Sequence, residues 1–351
     1  MKILFNIAHP GQVHLFKNSI WKLEEKGHEC KITIIDKDVS LRLLDAYGIK
    51  YDVVGSAKPT LFSKATELLK IEYNLYKIAR KFKPDILVGG VGNAYVAHVG
   101  KLIRKPSIVF DDTEHAKIEH ILTDPFASVI CTPACFNKYL GKKQVKYEGY
   151  HEIAYLHPNY FKPDNETLCE LGLKEDDVFI VIRFVSWDAD HDIGQTGLTL
   201  ETKRNVINEL SKYGRVIISS EKKLTDEFEQ YNISVSPEKM HDLLYYATLL
   251  YGESATMASE CAVLGTHSIF CDFAGRGYTD EEEEKYDLVY NFKLDEESQK
   301  NSVDKAIELL NDPDLKEKGR QKRELLLKDK IDVTEFMVNF IENYSNENKM
   351  G

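Results

Sequence analysis

The chain has 351 residues and a formal net charge of −11, from 46 Lys and Arg against 57 Asp and Glu. Nucleic-acid binders draw most of their affinity from clustered Lys and Arg on phosphates, so this balance argues against one. With 43% hydrophobic and 29% charged residues, the chain suits a globular protein of two domains. No apolar run approaches the roughly 20 residues that cross a bilayer. Met1 to Phe5 meets Asn6 and His9 too soon for a signal-peptide core, so a cytoplasmic protein is expected. Cys131 and Cys135 form the single close cysteine pair, with no second pair to complete a zinc site; buried, reduced thiols are expected.

In chain order, Lys2 to Ile7 reads as a buried strand and Val13 to Lys26 as a helix stopped by Gly27. Cys30 to Ile35 is a strand, a helix ends near Tyr47, and Lys50 to Val54 is the next strand. The amphipathic segment Ser63 to Phe82 leads into strand Ile86 to Val88. A helix from about Tyr95 precedes the strands Ser107 to Phe110 and Val129 to Thr132. This alternation means βαβ units and a parallel sheet.

Gly149 to Asp164 breaks the pattern with two prolines and many aromatics, and reads as a packed connection. Alternation then restarts with strand Val178 to Phe184, helix Leu200 to Tyr213, strand Val216 to Ser219 and helix Thr225 to Tyr231. Strand Leu249 to Tyr251, helix Thr256 to Leu264 and strand Ser268 to Cys271 follow. Helices are predicted over 302–310, 314–329 and 333–344. The acidic run Glu281 to Glu284 and the basic cluster Arg320 to Arg323 read as solvated helix faces. Two doubly wound, Rossmann-like halves result, with domains expected at 1–155 and 165–330.

The segment Gly252 to Glu260 carries the strongest chemical signal. A strand ends, a small-residue turn follows and a helix begins, leaving backbone N–H groups and the helix dipole for an anion. Ser254, Ala255 and Thr256 would hold a diphosphate, and Glu260, a turn further on, would accept ribose hydroxyls. Ligands of open α/β sheets bind beyond the carboxyl ends of strands. The first loop offers His9, Gly11 and His14, with His14 as a candidate general base. Gly90 and Asn93 follow another strand, where glycine permits close approach of a ligand or a tight turn.

Asp111-Asp112-Thr113-Glu114-His115 follows the strand at 107–110, with Asp112 a candidate base or a helix cap. Arg183 ends the first strand of the second half and would clamp phosphate, with His191 in the loop beyond it as a third catalytic candidate. No metal site and no resident cofactor are expected. The motifs of serine hydrolases, zincins and P-loop kinases are absent.

The pieces HPGQVH, GGVGN, FDDTEHA and GESATMASECAVLGT, with the stretch from Thr132 to Pro163, resemble domain-of-unknown-function family 354 across nearly the whole chain. That family is similar to two groups of the GT-B fold, the lipid II-forming N-acetylglucosaminyltransferases and the UDP-N-acetylglucosamine 2-epimerases. The resemblance implies two domains facing a cleft, with helix 333–345 returning to the N-terminal one. It matches His14 to an N-domain histidine, Ser254 to Glu260 to the donor's diphosphate and ribose site, Arg183 to a substrate-contacting arginine, and Asp112 to an acidic strand-end residue. Gly90 stands where the epimerases carry an acid, and their paired glutamates are reduced to Glu119-His120.

Together these readings give a metal-independent glycosyltransferase using a nucleotide-diphosphate sugar, UDP-linked, in the synthesis of surface glycan or glycolipid. The alternatives are an epimerase and a non-catalytic sugar-nucleotide binder. The acceptor would be a glycan or a lipid-linked sugar. The basic helix Ser63 to Lys83 would then either rest on the inner face of the membrane or pack on the core.

Overall fold

The computed structural model describes all residues except 57–60, 91–92, 185–196, 221–223, 225, 234 and 348–351. The chain divides into two compact units, Met1–Tyr160 with Lys330–Gly351, and Phe161–Asp329.

The first unit alternates strand and helix: β1 (Lys2–Ile7), α1 (Pro10–Glu25), β2 (Glu29–Asp36), α2 (Ser40–Ala46), β3 (Tyr51–Ser56), α3 (Leu61–Phe82) and β4 (Ile86–Gly90). Then come α4 (Ala94–Ile103), β5 (Ser107–Phe110), α5 (Lys117–Thr123), β6 (Val129–Pro133), β7 (Gln144–Tyr147) and α6 (Ile153–Leu156). The seven strands are all parallel, in the order β3-β2-β1-β4-β5-β6-β7. Strands covered on both faces must be apolar throughout, and Ile3, Leu4, Phe5, Ile108 and Phe110 are fully buried. In α3, Ile71, Leu75 and Ala79 recur every fourth residue and enter the core, while Lys70, Lys77, Arg80 and Lys81 are exposed. Among the described residues, no helix is long and apolar enough to cross a membrane.

The second unit comprises α7 (Glu166–Glu170), β8 (Phe179–Arg183), α8 (Leu200–Leu210), β9 (Arg215–Ser219), α9 (Met240–Tyr246), β10 (Leu249–Gly252) and α10 (Ala255–Leu264). It closes with β11 (His267–Cys271), α11 (Gly277–Glu284), β12 (Val289–Phe292), α12 (Glu296–Leu310) and α13 (Leu315–Asp329). Its five parallel strands run β12-β11-β10-β8-β9. The small side chains of α10 suit a helix buried from Met257 to Leu264. Ser254 caps its start, and Gly265 ends it at φ +85°, which glycine adopts without strain.

The last helix, α14 (Val333–Glu347), belongs to the first unit and packs on α1. Val333, Met337, Val338 and Ile341 form its buried face. Lys22 pairs with Glu335, and Glu342 holds Lys26 at 2.6 Å and His28 at 2.8 Å. A Cβ on Gly149 would meet Val333 at 2.5 Å, so a glycine there lets the helix close on the end of β7.

Some sequence expectations change. The helix expected at 225–231 is, among the described residues, a single 3-10 turn at Glu229–Tyr231. Glu282, expected on a solvated face, is fully buried and accepts a 2.5 Å hydrogen bond from Ser259. The basic cluster is solvated only in part, since Arg323 donates to the Val263 carbonyl at 2.8 Å. Strands β7 and β12 and helices α5, α9 and α11 were not foreseen.

Candidate functional site

A sheet wound in both directions has a point where the strand order reverses, and the loops there splay apart to leave a crevice. In the second unit that point lies between β8 and β10. Arg183 ends β8 and Gly252 ends β10, paired in register. The backbones are so close that a Cβ on Gly252 would meet the Arg183 carbonyl at 2.1 Å. The Arg183 guanidinium donates to Ser219 Oγ at 3.2 Å, at the end of β9. Glu253 accepts from the Leu198 amide at 2.6 Å and faces buried Lys203 at 4.0 Å.

Beyond Gly252 the chain turns into α10. Ser254 Oγ accepts from the Met257 amide at 3.3 Å, and Ala258 N–H reaches the Ser254 carbonyl. The amides of Ala255 and Thr256 form no hydrogen bond among the described residues, and both residues are partly exposed. Two such N–H groups at the positive end of a helix are suited to an anion. Glu260, expected a turn further on to accept ribose hydroxyls, is only 5% exposed. His241 of α9 holds its carboxylate at 2.9 Å through Nε2, and Phe161 lies edge-on to that imidazole. Sequence reasoning missed His241.

In the first unit the reversal lies between β1 and β4. His9 caps α1 by accepting from the Gly11 amide at 3.2 Å, and Pro10 starts the helix. Asn93 donates to the Asn6 carbonyl at 2.5 Å and accepts from the Asn6 side chain at 2.9 Å, tying the two strand ends together. The space beside Gly90 is filled by Gln12, whose Nε2 would lie 2.6 Å from a Cβ there. His14 is 7% exposed, with its Nδ1 3.2 Å from the Tyr47 hydroxyl and its ring against Tyr155. His191 lies outside the described residues.

A second group gathers at the ends of β5, β6 and β7. Asp111 is buried, accepts from the Thr113 amide at 2.8 Å and lies 3.5 Å from His120. Burial holds its carboxyl well above the usual carboxylate range, against the pull of the Thr113 amide and His120. Asp112 accepts from Thr113 Oγ1 at 2.9 Å and from His151 Nδ1 at 2.8 Å. Burial works against the His151 imidazolium, but the charge and hydrogen bond of Asp112, with Glu152, outweigh it and raise its pKa. Tyr147 stacks over His151 with the rings 12° apart, and burial first, then Asp112, keeps its phenol protonated. His151 and Tyr147 were not singled out from the sequence. The signal was Gly149 after a short strand-like run, the same pattern that marked Gly90.

A family model described as protein of unknown function, DUF354, matches residues 1–346. The chain belongs to the DUF354 family. An uncharacterised protein of Methanocaldococcus jannaschii is 24% identical over 284 residues, 77% of this chain and 82% of that one. Among solved structures, the UDP-GlcNAc 2-epimerase of Neisseria meningitidis bound to UDP-GlcNAc superposes with a TM-score of 0.68 at 12% identity, over 98% of this chain and all of that one. The spinosyn forosaminyltransferase gives 0.63 at 12% identity, covering 99% of each chain. The M. jannaschii UDP-GlcNAc 2-epimerase, in complex with UDP-GlcNAc and UDP, gives 0.61 at 14% identity over 93% of this chain and 99% of that one. The DUF354 chain thus has the GT-B fold, built from two parallel α/β sheets.

Proposed function

We propose that this chain is a metal-independent GT-B enzyme that transfers a sugar from a nucleotide diphosphate, UDP-linked, to a glycan or lipid-linked hydroxyl. The observation that carries this reading is the crevice between β8 and β10, where the amides of Ala255 and Thr256 open α10 with no hydrogen bond among the described residues and Arg183 ends the adjoining strand. Such a site favours a diphosphate, and the same contacts strengthen as charge develops on the departing phosphate. Glu260, oriented by His241, would receive the ribose hydroxyls. Solved proteins of this fold bind UDP and UDP-GlcNAc, which supports the choice of uridine.

The likeness to epimerases favours one second reading, in which the same donor site serves inversion at the sugar's C2. Products separate the two: transfer or hydrolysis frees UDP, whereas epimerisation interconverts two sugar nucleotides.

The test is the melting temperature of the full chain against UDP, GDP, CDP and dTDP and their sugars. A ligand that binds only the folded state at 100 times its Kd stabilises by about 2.7 kcal/mol. A rise with UDP compounds, lost in Glu260→Ala, is expected. No rise with any nucleotide at millimolar concentration overturns the reading.

A further inference from the structure

His151 and Tyr147 stand out because their polar atoms are enclosed and unpaired. His151 is 8% exposed and Tyr147 3%, yet His151 Nε2 and the Tyr147 hydroxyl make no hydrogen bond among the described residues. Leaving a buried donor or acceptor unmet costs about 1–3 kcal/mol, so two such atoms on stacked rings call for a reason. Tyr147 ends β7 and His151 lies just beyond it, while Asp112 follows β5, two strands away across β6, so all three stand at the carboxyl end of the sheet, where α/β sheets receive ligands. The other ring nitrogen is fixed: His151 Nδ1 donates to Asp112 at 2.8 Å, so the neutral ring carries its lone pair on Nε2.

We propose that His151 Nε2 is the general base of the first unit, with Asp112 as its positioning residue and the Tyr147 hydroxyl as a donor to the oxygen being deprotonated. This deepens the transferase reading and rests on it. The acceptor O–H gives its proton to Nε2 while its oxygen bonds to the donor sugar's anomeric carbon. The bond from that carbon to the diphosphate breaks, and its electron pair leaves on the diphosphate. The imidazolium, held against ionised Asp112, later gives its proton to water. In this arrangement His14, packed between Tyr47 and Tyr155, positions rather than reacts.

The groups that set the titration of His151 are Asp112 and Glu152; Tyr147 lies over its ring, and Cys131 and Cys135 of the β6 end face Tyr147. Removing the Asp112 charge should therefore move the acidic, ascending limb of the rate profile, which a general base sets, to lower pH.

The test uses the full chain with His151→Gln, Asp112→Asn and Tyr147→Phe, each checked for an unchanged melting temperature. UDP-induced stabilisation reports donor binding, and UDP release from UDP-GlcNAc into water reports turnover. Nitrogen-15 histidine titration by nuclear magnetic resonance follows His151 without any substrate. The proposal expects His151→Gln to bind UDP as wild type does and to release it at least about 100-fold more slowly. It expects Asp112→Asn to shift both the rate limb and the His151 titration to lower pH. Normal turnover in His151→Gln, with UDP still bound, overturns the proposal and leaves the donor reading standing. Wild type that binds no UDP overturns the donor reading and this step together. If wild type binds UDP without turnover, a His151 titration unmoved by Asp112→Asn overturns the dyad, and a lowered one supports it.

Discussion

The two units present their strand ends in different chemical terms. At the reversal point of the second unit the available groups are backbone amides, at Ala255 and Thr256, with small side chains around them. At the ends of β5 to β7 in the first unit they are titratable side chains, Asp111, Asp112, His120 and His151, already bonded to one another. Fixed amides suit binding of a charge that stays put, whereas coupled acids and bases suit moving a proton. One fold used twice has thus been filled with two kinds of polar group.

The first way to break this contrast is acid. In the second unit, burial and then the neighbouring Lys322 push the His267 pKa down to about 4. The unfolded chain therefore binds more protons than the folded one between about pH 6.5 and 4. Stability from this group is full above that window and falls by about 3 kcal/mol as pH drops through it. In the first unit, Asp111 is raised instead. Its contribution is present below the ordinary carboxylate pKa and is lost as pH rises through the folded value. Urea melts across pH should show His267→Gln flattening the acid limb, and Asp111→Asn gaining stability at neutral pH.

A smaller effect sharpens the comparison between the two crevices. Gly252→Ala drives a methyl into the Arg183 backbone and should cost about 1–3 kcal/mol, because a main chain in a sheet cannot step aside. Gly90→Ala meets only the end of the Gln12 side chain, which can turn away, so its cost should be well below that of Gly252→Ala in the same denaturant series. Smallest is Ser254→Ala, which removes the cap of α10 and should cost about 1 kcal/mol while weakening UDP binding.

Apolar runs such as Ile3 to Phe5 and Ile180 to Ile182 were legible because strands covered on both faces need them. The strand, small-residue turn and helix around Gly252 to Thr256 were legible because local steps alone build them. The edge strands β7 and β12 escaped because an edge needs only partial burial, and Gln144, Lys146 and Asn291 interrupt their pattern. What no window of sequence shows is pairing set by topology. Asp112 meets His151 because β5 and β7 end at the same side of one sheet, and Glu260 is drawn inward by His241, 19 residues away. Glu282 was misread for the same reason, its buried partner Ser259 lying in another helix.

The return of α14 to the first unit sets an order on the ribosome. The second unit is one unbroken stretch, Phe161–Asp329, and can fold as soon as it has emerged. The first unit begins earlier and finishes later, because Phe336 stacks on Tyr147 and Ile331 N–H holds the Glu148 carbonyl. Those contacts clamp the segment that carries His151. A nascent chain halted before residue 330 would therefore own a finished turn at Gly252 to Thr256 and an unfinished setting for His151, so the strand ends of the second unit mature before those of the first.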